Sequence, residues 1–368
     1  MNILIDASNI IVNSGGFNHL KELLKNYPVD KKDEIYVVGS NKLISELKFT
    51  NPKIKYVSNF FLNSGKLLRL IWQIFLIKSC LKKNNCKKLF VLGGYFFWKG
   101  NYKTILLLQN ILPLEKKIFL EDNLLSVLKN YTLNILYKFS ISRSDGVILL
   151  SKYSIRFLGK KKVKYRVIQH GLNKFFQRKF KIRKNKKIFN ILYVSKYEKY
   201  KNHMNLVRAC YYLRKININI KLTLIGLKGD KKYNKSKLYE VIENTNSKFQ
   251  NLISVENFKK HSSMKKIYSK YDLHVYASKC ESFGFIVLES IASCLPIICS
   301  NYPVYKEILG KHTLYFNPNN PKNIAKIIKI YIQNFKLKKK NTKKLNDISK
   351  NFKWKDCSKK TFEFIKAL

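Results

Sequence analysis

The chain of 368 residues is expected to fold as an α/β protein with two parallel-sheet domains. Three observations predict this. Short apolar runs rich in Val, Ile and Leu alternate with segments of helical periodicity along the whole chain, and that alternation builds parallel sheets covered by helices. The pattern lapses and restarts around a stretch, 160–187, that holds thirteen Lys or Arg and no Asp or Glu. The length and an apolar share of 46% suffice for two cores of ordinary size.

The first domain, 1–173, opens with NILIDAS (2–8), a buried strand. Gly15-Gly16 follows, then Phe17, Leu20, Leu23 and Leu24 at helical spacing. Strand, glycine turn and helix make a Rossmann-like opening, although no GxGxxG fingerprint is present. Gly16 either admits a ligand close to the backbone or makes a plain tight turn. EIYVVGS (34–40) reads as the second strand. Residues 66–83 read as an apolar helix with a basic edge, which either covers a sheet or dips into a membrane surface. KLFVLGG, KTILLLQN (103–110), DGVILLS (145–151) and YRVIQHGL (165–172) are further strands, with a helical pattern through 120–141 and a short helix in SIRFLG.

A linker is placed at 174–187, where periodicity fails. It reads as a solvated basic face rather than a nucleic-acid arm, because aromatics are not regularly interleaved for stacking. The second domain, 188–350, has strands in FNILYVSK (189–196), IKLTLIG (220–226), LISVENF, DLHVYAS (272–278), LPIICSN (295–301) and HTLYFNP. Helices fall at HMNLVRACYYLRK, 235–247, HSSMKKIYSKY, YKEILG and PKNIAKIIKIYIQNFK, and WKDCSKKTFEFIKAL closes the chain.

Lys+Arg 73 against Asp+Glu 22 gives a net charge of +51. Such a surface attracts phosphorylated substrates, anionic lipid or nucleic acid, or it reflects a lysine-rich composition throughout. Seven cysteines without a CxxC pair and six histidines without ligand spacing argue against a zinc site or a disulfide framework. No metal or other cofactor is expected. MNILIDASNI lacks the basic and apolar regions of a signal peptide, and no apolar run is long enough to span a bilayer. The expected location is cytoplasmic, with peripheral attachment to the inner face of a membrane as a possibility.

The densest motif is CESFGFIVLESIASCLPIICSN, 280–301. Glu281 and Glu289 bracket Phe283-Gly284-Phe285, where a helix begins. Unpaired backbone N–H groups and the helix dipole favour an anion there. A carboxylate beside an anion site suits a ligand with both hydroxyls and phosphate, such as a sugar nucleotide. Acids are scarce in this chain, and two in an apolar stretch are costly unless used.

With Lys196, Lys201, Glu281 and Glu289 together, the chain resembles the retaining glycosyltransferases of family 4, of the cell-surface polysaccharide type. SGGFNHLKELL is similar to their acceptor-side glycine loop, YVSKYEKYKNH to their VGRxxxxKG/N segment, and ASKCESFGFIVLESIASCLPIICSN to their ASxxExFGxxxLEAMAxGxPVI signature. LYFNPNNPKNIAKII and WKDCSKKTFEFI also match, in order.

The resemblance implies a GT-B fold, with two Rossmann-like domains facing across a cleft and a terminal helix (351–368) returning to the first. It implies transfer of a sugar from a nucleoside-diphosphate sugar to a saccharide or polyprenyl-linked acceptor, with retention and without a metal. Lys196 and Lys201 would hold the donor diphosphate and stabilise charge on the leaving group. Lys196 departs from the arginine of many relatives and loses its bidentate fork. Glu281 would face the donor sugar, Glu289 the ribose, and Phe283, Gly284 and Phe285 would line the donor site. Gly16 would let its loop approach the phosphates. On the acceptor side stand Gln109 and Asn110, where many relatives carry histidine, and His170. An amide hydrogen-bonds a hydroxyl but does not act as a general base. His170 is otherwise a hydrogen-bonded structural histidine. Glu281→Ala is expected to abolish transfer with the fold intact. The alternatives are a basic module that binds nucleic acid or membrane, and an inactive glycosyltransferase-like subunit; no specific nucleic-acid partner is expected.

Overall fold

The computed structural model describes residues 2–27, 34–47, 53–159, 163–180 and 187–368. The chain forms two compact units, one of residues 1–116, 124–171 and 353–368, the other of residues 117–123 and 172–352.

The first unit holds a seven-stranded sheet in the order β3-β2-β1-β4-β5-β6-β7. Its strands are β1 (Asn2–Asp6), β2 (Glu34–Val38), β3 (Ile54–Val57), β4 (Cys86–Val91), β5 (Lys103–Leu108), β6 (Gly146–Leu149) and β7 (Lys164–Val167). All neighbours pair in parallel. That requires crossover connections, and the runs of Val, Ile and Leu are the mark of strands covered on both faces. β3 was not anticipated: four residues with two polar neighbours in IKYV give little periodicity. The apolar segment 66–83 forms helices Lys66–Ile71 and Ile77–Lys83 joined by a π-helical turn, Trp72–Leu76. Trp72, Ile77 and Leu81 pack into the unit's core, so this segment covers the sheet.

The terminal helix Trp354–Lys366 belongs to this unit. Buried Lys88 on β4 donates to the carbonyls of Ile365 (2.6 Å) and Lys366 (2.7 Å), satisfying acceptors that every helix end leaves open. The other end abuts Gly171, where an added Cβ would lie 2.2 Å from the backbone nitrogen of Trp354. Backbone yields less easily than a side chain. Gly171→Ala is therefore expected to cost about 1–3 kcal/mol, read as a lower denaturant midpoint; an unchanged midpoint would show that the helix start is free to shift.

The second unit holds a six-stranded parallel sheet in the order β10-β9-β8-β11-β12-β13. Its strands are β8 (Phe189–Val194), β9 (Ile220–Lys228), β10 (Ile253–Asn257), β11 (Leu273–Tyr276), β12 (Ile297–Ser300) and β13 (Tyr315–Phe316). Helix Pro321–Gln333 is followed by a second, Phe335–Ser349, that the sequence pattern did not announce. Its inward face is mostly polar, with Lys338, Asn341, Thr342, Asn346 and Ser349 buried beside Leu345.

The stretch expected to be a solvated linker is corrected in part. Residues 181–186 lie outside the described residues, but Phe176 is buried, and the Arg178 N–H donates to the Ala292 carbonyl at 3.0 Å. Phe176 also meets Tyr268, their ring centroids 6.1 Å apart. Residues 174–180 thus pack as part of the second unit. Phe176 gives the basic run an apolar ring to bury.

Candidate active site

In the second unit, β8 and β11 are neighbours in the sheet, so the loops leaving their carboxyl ends emerge side by side. In an open parallel sheet this is where ligands bind. β8 leads to Lys196 and the turn Lys199–Lys201. β11 leads through residues 277–284 to the helix Phe285–Ala292. Asn202 closes the first loop in the left-handed region, φ 63°, a conformation its short polar side chain tolerates. Gly284 closes the second at φ 102°, where a side chain would be strained. Gly284 stands at the N-cap position of the helix that starts there and brings no side chain to it, and the positive end of the helix points at the loop.

Lys201 and Glu281 meet between these loops. The Lys201 ammonium forms an ion pair with Glu281 Oε1, and their side chains are only 11% and 17% exposed. The same oxygen accepts a 2.7 Å hydrogen bond from the Tyr276 hydroxyl. The Tyr193 hydroxyl donates to the Lys201 carbonyl at 2.5 Å, and the ammonium lies 4.9 Å from the Tyr200 ring centroid. Burial opposes the charge on Lys201 most strongly, but the Glu281 carboxylate together with Tyr200 and Tyr193 outweighs it and holds the lysine above its ordinary pKa. Burial, reinforced by Glu281, pushes the Tyr276 hydroxyl well above its usual range, so it remains a donor. The result is a fixed cation and carboxylate within a wall of tyrosines.

Glu289 is buried on the adjoining helix. Its Oε2 accepts from the Tyr268 hydroxyl and its Oε1 meets His261 Nε2, both at 2.8 Å. The helix is fixed at its far end by Asn346, which donates to the carbonyls of Ile291 (3.2 Å) and Ala292 (3.0 Å). The unanticipated helix 335–349 therefore helps aim Glu289. Phe283 is buried, and its ring lies 6.0 Å from those of Phe285 and Phe352. The phenylalanines anchor the turn and leave Gly284 at the helix mouth.

Lys196 stands apart from this pair. Its side chain is 67% exposed and lies 3.7 Å from Glu198 Oε1, which Lys232 approaches at 3.6 Å. Next to it, Gly226 (φ 101°) lets β9 pass close to β8's end: a Cβ there would sit 2.9 Å from the Ser195 carbonyl oxygen.

The first unit places Gly16 against Gln109; a Cβ on Gly16 would meet the Gln109 side-chain oxygen at 2.9 Å. Gly16 lies in the first turn of helix Gly15–Lys25, which Ser14 caps by accepting from the Phe17 N–H at 3.1 Å. Asn110 is exposed and accepts from the Leu112 N–H at 3.1 Å. His170 is buried, its Nδ1 2.8 Å from His19 Nδ1 and its ring 5.7 Å from that of Trp354. Burial, with the neighbouring His19, keeps His170 well below its ordinary pKa.

Among the described residues one group could share an ion: His19, His170 and Cys357 have ligand atoms within 4.8 Å of one another. They do not suit a metal. The 2.8 Å between the histidine nitrogens is a hydrogen bond, shorter than the roughly 3.3 Å that two ligands of a tetrahedral zinc would keep. Burial also raises the Cys357 thiol to about 12, and metals take the thiolate.

Sequence reasoning missed Asp6, buried at the end of β1, whose carboxylate accepts from the Ser8 N–H (3.0 Å) and Gln73 Nε2 (3.1 Å). Burial raises its pKa despite those bonds. The signal was a lone acid in an apolar strand and a lone glutamine in an apolar helix. It also missed Tyr193, Tyr276, Tyr268 and His261, whose roles arise from partners distant in sequence.

Residues 174–351 match the family described as glycosyl transferases group 1. An uncharacterized glycosyltransferase of Methanocaldococcus jannaschii is 29% identical over 258 residues, 68% of each chain. The O-antigen chain mannosyltransferase B of Escherichia coli is 25% identical over 177 residues, 48% of this chain and 45% of that protein. The structure of Anabaena HepE in complex with UDP and glucose superposes on the whole of both chains with a TM-score of 0.72 at 15% identity. The two parallel-sheet units are those of the GT-B fold, and the similarity to the glycosyl transferases group 1 family spans residues 174–351, just under half of the chain.

Proposed function

We propose that this chain, which matches the glycosyl transferases group 1 family over residues 174–351, transfers a sugar from a nucleoside-diphosphate sugar to a saccharide or lipid-linked saccharide acceptor. The observation that carries the proposal is the buried Lys201–Glu281 pair beside the helix N-terminus at Gly284. A diphosphate offers the charge that both a buried ammonium and a helix N-terminus favour. As the bond to the sugar breaks, charge grows on the leaving phosphate, and Lys201 neutralises it. Lys196, exposed on a flexible stem, adds a second cation by turning toward the phosphates. Glu281 faces the sugar, where it hydrogen-bonds hydroxyls and stabilises positive charge at the reacting carbon. Glu289 takes the ribose hydroxyls, with His261 yielding one carboxylate oxygen and Tyr268 holding the other.

In this reading the reaction retains configuration, the leaving phosphate oxygen takes the acceptor's proton, and the lysines supply the charge a divalent ion would bring. Gln109 and Asn110 hydrogen-bond the acceptor. The pathway proposed is surface polysaccharide assembly, supported by the O-antigen mannosyltransferase relative, in the cytoplasm and at an anionic membrane face. Among the described residues no helix is long and apolar enough to cross a membrane.

Thermal unfolding with UDP, GDP and their sugars tests the donor site. A ligand at a hundred times its dissociation constant adds about 2.7 kcal/mol of apparent stability. Glu289→Gln is expected to weaken nucleotide binding about tenfold, because a hydrogen bond to a charged group contributes about 1.5–3 kcal/mol. No stabilisation by any nucleoside diphosphate would refute the reading.

A further inference from the structure

Helix Leu124–Arg143 of the first unit buries a partly polar face and exposes a row of apolar residues. Its buried face carries Asn130, Asn134, Tyr137, Ser140 and Ile141. Asn134 donates to the Pro113 carbonyl at 2.7 Å, Ser140 exchanges hydrogen bonds with the backbone of Phe96, and the Tyr137 hydroxyl donates to the Gly93 carbonyl at 3.3 Å. The outward face carries Leu124, Leu125, Leu128, Tyr131, Ile135 and Phe139, of which Leu124 is 73% and Leu125 80% exposed. The spacing of three and four residues puts them on one continuous stripe, about 23 Å long. A surface helix ordinarily shows the reverse arrangement.

The stripe's surroundings identify what covers it. Helix 124–143 contains no Asp or Glu. At 100° per residue, exposed Lys129 and Lys138 fall on its opposite edges, and Arg143 ends it. The Arg143 guanidinium lies 4.1 Å from the Phe139 ring centroid and Lys116 lies 5.7 Å from that of Tyr131. The loop bound to the helix through Phe96 also carries half-exposed Trp98, with Lys78 over its ring at 4.9 Å. Leucines outward, aromatic rings beside cations and basic edges are what an anionic bilayer surface accommodates: acyl chains take the stripe and phosphate headgroups take the rim. A second copy of the chain on the same face would set basic rim against basic rim.

We propose that helix 124–143 is the face by which this protein lies on an anionic lipid bilayer. It gives a place to the membrane attachment in the functional proposal, and it holds whether or not sugar is transferred. Co-sedimentation with vesicles of phosphatidylcholine, with and without about a third of phosphatidylglycerol, tests it. The unmodified protein should bind the anionic vesicles. Leu124→Gln/Leu125→Gln/Leu128→Gln/Ile135→Gln should lose at least about tenfold in affinity. Lys129→Gln/Lys138→Gln/Arg143→Gln should weaken binding and reduce its sensitivity to salt. Both variants change exposed positions and should keep the unmodified unfolding temperature and its response to nucleoside diphosphates, so failure here is separable from failure of the donor site. Full vesicle binding by the leucine variant would overturn the proposal, since the net charge alone would then suffice. No vesicle binding by the unmodified protein would also overturn it, as would self-association that the leucine variant abolishes.

Discussion

Glu281→Ala is expected to abolish transfer and to destabilise the second unit by about 3–5 kcal/mol, the usual effect of removing one member of a buried ion pair. The sequence alone suggested that this substitution would leave the fold untouched. The structure says otherwise, because the Lys201 ammonium is buried and would be left beside phenol rings without its carboxylate. Lys201→Met should also abolish measurable transfer, since a fixed cation at a leaving group is typically worth a factor of about 10²–10³. Its effect on stability should be smaller, because Glu281 keeps the Tyr276 hydrogen bond at 2.7 Å. The double variant Lys201→Met/Glu281→Gln separates the two consequences. Folding should recover toward the unmodified value, as replacing both members of a buried pair is often neutral, while transfer stays lost. Denaturant unfolding and single-turnover transfer of the unmodified protein, Lys201→Met, Glu281→Gln and the double variant close the cycle. Full activity in Glu281→Ala would remove the site from this pair of loops. Equal stability of the single and double variants would show that the ammonium reaches water once its partner is gone.

Most of the sheet architecture is legible in the chain because parallel strands covered on both faces are written as continuous apolar runs, as in FNILYV and KTILLL. What escaped notice shares a physical feature: polar residues facing inward. Helix 335–349 buries Lys338, Asn341, Thr342 and Asn346, and a segment of KLKKKNTKKLNDIS reads as solvent-facing by any hydropathy pattern. The helical pattern over 120–141 does not say which face turns inward. The hydrogen bonds of Asn134 and Ser140 show that polar residues share the inside with Tyr137 and Ile141. At the site, Glu281 and Glu289 were conspicuous because acids are rare here. Lys201 and Lys196 were indistinguishable in a lysine-rich chain. Burial separates them, Lys201 within the tyrosine wall and Lys196 exposed beside Glu198, and burial of a polar group depends on neighbours that sequence spacing does not reveal.

Acid should destabilise both units well before the carboxylates titrate. Burial pushes His19, His203 and His274 down to about 3, and holds His170 well below its ordinary value with the help of His19. Unfolded, each titrates near 6.5. Between about 6.5 and 3, then, the unfolded chain binds more protons than the folded one, and stability falls as pH falls through that window. At pH 5 each fully buried histidine forfeits about 2 kcal/mol relative to pH 7. His203 and His274 act in the second unit, which should lose about 4 kcal/mol. In the first unit, His19 and His170 share one Nδ1–Nδ1 hydrogen bond of 2.8 Å and titrate as a pair. Protonating both rings replaces that bond with two donors face to face, while buried Asp6, whose pKa burial raises, takes up a proton in the folded unit and offsets part of the loss. Denaturant unfolding followed from pH 7 to pH 5 measures the slope. Replacing His203 by Gln should remove about 1.4 kcal/mol per pH unit from it, the contribution of one proton. A flat profile over that range would mean that water reaches these rings in the folded protein, and that their burial is not what sets their charge.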